Sequence, residues 1–134
     1  MGTTEEELKN LNQRTFDAEA KPEEPIDGKG WKEFLQDTLA VNFSIRRVNG
    51  AVQNKLEMIE FVEDSKRTQR TIIEDTIKVF CGFEDKDPSE QSFGVVTSVV
   101  TFKGSDKKYH NIKTFARRFP GHWRCIYWQV FEVQ

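Results

Sequence analysis

Leu8, Leu11, Thr15 and Phe16 recur at the three- and four-residue spacing of a helix that buries one face. Thr4-Glu5-Glu6-Glu7 stands before them as a capping box, in which the threonine hydroxyl accepts from a free backbone N–H and Glu7 reaches back. The pattern predicts a first helix to about Ala20, ended by the two prolines and two glycines between Lys21 and Gly30. Trp31, Phe34, Leu35, Thr38 and Leu39 form the apolar face of a second, short helix. Val41 to Val48 has strand character, and Asn49-Gly50 before Ala51-Val52 predicts a tight hairpin, because a type I′ turn needs positive φ at two successive residues. Asn54, with Glu57 three positions on, predicts the cap of a third helix whose face is Leu56, Met58, Ile59, Phe61 and Val62.

Beyond the basic stretch Lys66 to Arg70 the apolar period changes to two. Strands are predicted over 71–83, 93–103, 108–119 and 123–133, with turns at Asp85 to Ser89, Gly104 to Asp106 and Phe119 to His122. Strict alternation puts Trp123, Cys125, Tyr127, Gln129 and Phe131 on one face of the last strand and Ile126, Trp128 and Val130 on the other. Both faces carry large side chains, so the second face calls for a helix layer, a cavity or another subunit. The order helix, helix, hairpin, helix and four strands predicts one α+β domain over 1–134, with three helices on one side of a curved antiparallel sheet.

Composition narrows the picture modestly. A chain of 134 residues with 11 Phe, 3 Trp and 2 Tyr can build one core without staples. The net charge of −2 excludes little, but its distribution is uneven. Residues 1–30 carry eight acids against four bases, and 103–134 carry seven bases against two acids, so the two ends are expected to attract. Cys81 and Cys125 are expected as free, buried thiols. The first residues lack the apolar stretch of a secretory signal, so the expected location is cytoplasmic, without membrane contact. The sequon at Asn42-Phe43-Ser44 is then accidental.

Three pieces of this pattern resemble a known superfamily: the hairpin Phe43 to Gly50, the following Lys55 to Ile59, and the closing Trp123 to Gln129. They resemble the nuclear transport factor 2-like superfamily, in its uncharacterised SnoaL-like branch. The resemblance implies a cystatin-like α+β cone with a pocket between helices and concave sheet, and dimerisation through the outer sheet face in many members. It does not fix a function, because the same cone hosts enzymes, non-catalytic subunits and binding proteins.

Three functions follow as expectations. The first is a binder, in which Trp31, Phe34, Phe43, Phe61, Trp123, Tyr127 and Gln129 surround a small apolar or aromatic molecule. The second is an isomerase, cyclase or dehydratase working through one buried acid and Tyr127, with Asp37, Glu74 and Asp75 as conceivable bases. The third is an assembly module that meets a second copy through Ile126, Trp128 and Val130. A homodimer that binds a small molecule satisfies the first and third together. The Asp-Arg-Asp set of the fold's epoxide hydrolases has no counterpart in the spacing; of Arg46-Arg47 and Arg117-Arg118, one member each is expected to face solvent. His110 and His122 lack a neighbouring ligand set, so neither metal nor cofactor is expected. Basic doublets beside aromatics fit a nucleic-acid surface, but a pI near 5.8 and an acidic first helix oppose it.

Overall fold

The computed structural model describes residues 4–83, 91–118 and 121–134. The predicted turn over Asp85 to Ser89, and the Phe119-Pro120 half of the last turn, lie outside them. Helix α1 (Thr4–Glu19) buries Ala18 and, in one continuous stripe at helical spacing, Leu8, Asn12, Thr15, Phe16 and Glu19, a stripe that is polar at three of its five positions. Helix α2 (Trp31–Thr38) buries Phe34, Leu35 and Thr38. Helix α3 (Lys55–Asp64) is capped as expected: Asn54 Oδ1 accepts from the Glu57 N–H at 2.9 Å, and Glu57 Oε1 accepts from the Asn54 N–H at 3.0 Å. Its far end is closed by a cation, since Lys21 Nζ donates to the carbonyls of Glu63 and Ser65.

Among the described residues seven strands form one curved, open sheet: β1 (Leu39–Arg46), β2 (Val52–Asn54), β3 (Arg70–Ile72), β4 (Lys78–Phe83), β5 (Gln91–Phe102), β6 (Lys108–Arg118) and β7 (Arg124–Glu132). The order is β2-β1-β7-β6-β5-β3, with β4 also on β5. The three helices pack on it, giving an α+β architecture. Three expectations need correction. The sheet is not wholly antiparallel, because β1 runs parallel to β7. The strand expected over 71–83 is two strands separated by a 3-10 turn at Glu74–Thr76. Ile72 pairs with Val100 and Lys78 with Thr97, so five residues lie opposite two, and the excess forms a turn whose Glu74 meets Lys9 of α1 at 2.7 Å. The Thr76 hydroxyl fastens that fold by accepting from the Val99 N–H at 2.9 Å. Finally, the hairpin turn is not type I′, since Gly50 alone in it has positive φ, at 87°. Gly50 N–H donates to Arg47 O and Arg47 N–H to Ala51 O, which is a type I turn followed by a glycine bulge.

α1 crosses the sheet closely at Gly94 of β5, where a Cβ would collide with the fully buried Leu8 side chain. Gly94→Ala is therefore expected to lower stability by about 1–3 kcal/mol in urea unfolding, as overpacking does elsewhere. An unchanged midpoint would mean that α1 can move off the sheet at no cost.

Candidate functional site

The pairing of β6 with β7 contains one irregularity that decides what the concave face looks like. Thr114 pairs with Tyr127 and Phe115 with Cys125, leaving Ile126 as an extra residue in β7. Such a bulge reverses the parity of every position beyond it. Trp123 and Cys125 face the helices before it, and Trp128 and Val130 face them after it. Tyr127 and Gln129, beside Thr114 and Ile112, fall on the outer face instead. The strict alternation read from sequence is thus corrected: Trp128 is fully buried inside the chain and Val130 lines a cavity, so neither lies on an outer surface.

That cavity has a volume of about 370 Å³. Its wall on the sheet is Val100 and Phe102 of β5, Tyr109 and Asn111 of β6, and Trp128 and Val130 of β7. Phe16 and Glu19 close it from α1, Phe61 and Ser65 from the α3 end, Arg47 and Val48 from the hairpin, and Thr68 and Arg70 from the entry to β3. Val48 and Phe61 are each about half exposed and mark the rim. Of the residues expected around a ligand, only Phe61 is among this lining. Phe34, Phe43 and Trp123 are buried in the core, Trp31 packs half-buried against it, and Tyr127 and Gln129 face outward. Ile126 is the half-buried bulge residue.

Polar groups are few and placed. Trp128 Nε1 donates to Asn111 Oδ1 at 2.8 Å, which fixes the indole as the floor. Phe16 meets that indole edge-on, with centroids 5.3 Å apart. Lys113 lies one layer behind, fully buried, its ammonium 3.3 Å from the Phe16 ring centroid and 3.9 Å from that of Trp128. Its Nζ donates to Asn12 O at 3.1 Å and to Thr15 Oγ1. Here the basic closing segment meets the acidic first helix, through a backbone carbonyl and a hydroxyl rather than a carboxylate. Burial pushes the Lys113 pKa down to about 7, opposed by the field of Glu19. The Cys125 thiol is pushed up to about 12 by the same burial, with Lys113 opposing.

At the other side of the cavity Glu19 is ion-paired with two arginines. Arg70 Nη1 stands 2.9 Å from Glu19 Oε1, and Arg47 Nη1 stands 3.5 Å from Glu19 Oε2. Arg47 lies over the Phe61 ring at 4.3 Å and Arg70 over Phe102 at 5.2 Å. Burial lowers the Arg47 pKa from its ordinary value, with Glu19 opposing. Arg46, its sequence neighbour, is exposed, as alternation in β1 requires.

Asn12, Thr15, Glu19, Arg47, Arg70 and Lys113 were not singled out by sequence reasoning as a group. A signal for them exists: Asn12 and Glu19 sit four and eleven residues beyond Leu8, on the face that must be buried, and a buried carboxylate requires a cation. The conceivable bases lie elsewhere. Asp37 pairs with Lys29 at 2.8 Å, a contact that holds its carboxyl below its ordinary pKa; Glu74 pairs with Lys9, and Asp75 is exposed. His110 stacks on Phe131, and His122 approaches Asp37. Among the described residues no three His, Cys, Asp or Glu side chains converge, and no helix is long and apolar enough to cross a membrane.

No family profile matches the chain, and no curated protein does. Solved structures do. A nuclear transport factor 2-like protein from Cytophaga hutchinsonii superposes with a TM-score of 0.72 at 12% identity, over 98% of this chain and 100% of that one. A protein of the same kind and unknown function from Pseudomonas aeruginosa gives 0.67 at 10% identity, over 95% and 98%. A ketosteroid isomerase candidate from Shewanella frigidimarina gives 0.64 at 12% identity, over 90% and 91%. Helices and open sheet align along nearly the whole length, and the protein has the nuclear transport factor 2-like fold.

Proposed function

We propose that the protein is a dimeric binding protein, which holds a small apolar or aromatic molecule in the mouth of a cone formed by helices and sheet. The observation that carries this is the lining of the 370 Å³ cavity: five aromatic rings, Phe16, Phe61, Phe102, Tyr109 and Trp128, with a few fixed polar groups. That volume and mixture are usual for small-molecule sites. The outer sheet face supports the dimer. Phe80, Phe93 and Phe131 are exposed on it, with Val95, Val99, Ile112 and Tyr127 half-buried beside them. A second copy of this chain is the proposed cover, because an apolar surface of this extent is rarely left wet.

Catalysis of the isomerase type is less well supported. It needs a carboxylate free to take a proton inside the cavity and a hydroxyl to stabilise the oxyanion. Tyr127 is on the opposite face; Tyr109 supplies a phenol to the lining, but Glu19, the carboxylate that lines the cavity among the described residues, is engaged by two arginines. Native mass spectrometry of gently purified protein tests the proposal. The expected result is twice the chain mass plus one retained small molecule per chain; a bare monomer at micromolar concentration would contradict both parts.

A further inference from the structure

We infer that the molecule taken by this cavity carries a carboxylate on its apolar or aromatic body, and that Arg47 anchors it. The inference rests on the small-molecule function proposed above and adds the chemistry of the occupant. Among the described residues two guanidinium groups enter the cavity wall against one carboxylate, Glu19. Arg70 makes the close pair at 2.9 Å, whereas Arg47 is at 3.5 Å, the outer limit of a hydrogen bond. Arg47 Nη2 and Arg70 Nε are shielded from water and have no hydrogen-bond partner among the described residues. Among the described residues one positive charge is left over in a wall whose remaining polar side chains, Ser65, Thr68, Tyr109 and Asn111, are neutral, and in a partly buried site an unanswered charge is felt strongly.

Both guanidinium planes are already held. Arg47 is fixed by the Phe61 ring and by donation from its Nε to Gln53 Oε1 at 3.0 Å. Arg70 is fixed by the Phe102 ring and by donation from Nη2 to Thr68 Oγ1 at 3.2 Å. A planar fork held in place by stacking is the group best matched to a carboxylate. A neutral apolar occupant would cover the surplus charge without answering it, and a cation would meet repulsion. Lys113, behind Phe16 and Trp128, adds to the positive potential when protonated.

Isothermal titration with two matched pairs, 2-naphthoate with 2-naphthamide and octanoate with octanamide, tests this. At least one carboxylate is expected to bind about tenfold or more tightly than its amide, the size of one charge-assisted hydrogen bond. Arg47→Met is expected to remove that preference, so that each acid and its amide then bind with similar affinity. Glu19→Gln frees both guanidinium groups and is expected to strengthen carboxylate binding several-fold, and the acid-against-amide comparison in the unsubstituted protein stands whether or not either variant folds. Amides that bind as tightly as their acids would overturn the inference and leave the apolar cavity standing. Binding of no member of either pair would remove the cavity's proposed function and this inference with it.

Discussion

Glu19→Ala is expected to lower the unfolding free energy by about 3–5 kcal/mol, the usual size of the effect when one partner of a buried ion pair is deleted. The reason is the pair of guanidinium groups it leaves behind. Arg47 and Arg70 keep only 16% and 12% of their side-chain surface, and neither has another carboxylate at ion-pair distance among the described residues. Their rings, Phe61 and Phe102, supply cation–π attraction but not a counter-charge. Adding Arg47→Met to Glu19→Ala should recover part of the loss, because one of the two uncompensated charges then disappears; a urea double-mutant cycle reads that coupling directly. A loss below about 1 kcal/mol for Glu19→Ala would mean that the arginines swing out to water.

Lys113 sets the second large effect, through pH. In the unfolded chain its pKa is near the ordinary 10.5, and in the fold it is about 7. Below pH 7 both states bind the proton, and the penalty of burying the ammonium is fully present. Between pH 7 and 10.5 the unfolded state binds more protons, so stability rises with pH, by up to about 1.4 kcal/mol per pH unit for one group. Cys125 works the other way above its ordinary 9.0: with a folded value of about 12, the fold keeps a proton that the unfolded chain releases. The net expectation is a rise between pH 7 and 9 that levels off above 9. Lys113→Met, which keeps the stem packed between Phe16 and Trp128, should abolish the rise and leave the variant more stable than the parent at pH 6. Urea midpoints at pH 6, 7, 8 and 9 for both proteins check it; parallel curves would show that Lys113 keeps its proton throughout.

How far the fold could be read from the chain depends on whether each feature is local. The Asn54 cap and the long two-residue alternation of β5 and β6 are set by residues within one turn or one strand, and they stand where the pattern puts them; in the α1 stripe Leu8, Thr15 and Phe16 do so, while Leu11 is half-buried. The parallel pairing of β1 with β7 joins positions more than eighty residues apart, and neither strand's own pattern names its neighbour. The cavity suffered most from this. A period-two reading of Trp123 to Phe131 has no way to see that Ile126 goes unpaired, because the vacancy is in the register with β6 and not in β7 itself. One extra residue therefore exchanged Trp128 and Val130 with Tyr127 and Gln129. The break at Glu74–Thr76 is of the same kind, an excess of residues visible only against β5. The polar half of the α1 stripe was legible in principle, since Asn12 and Glu19 occupy buried-face positions that a purely packing helix would fill with apolar side chains.

Placing the ligand site on the concave face, over the Trp128 indole and beside Arg47, is the central claim, and the three indole N–H signals of the protein report on it separately. Trp31 and Trp123 lie outside the cavity, whereas Trp128 forms its floor. In a ¹⁵N-correlated titration with 2-naphthoate, with the signals assigned by single Trp→Phe variants, the Trp128 indole signal is predicted to shift and saturate while the other two stay in place. A Trp128 signal that never moves, or movement confined to Trp31 or Trp123, would contradict the account.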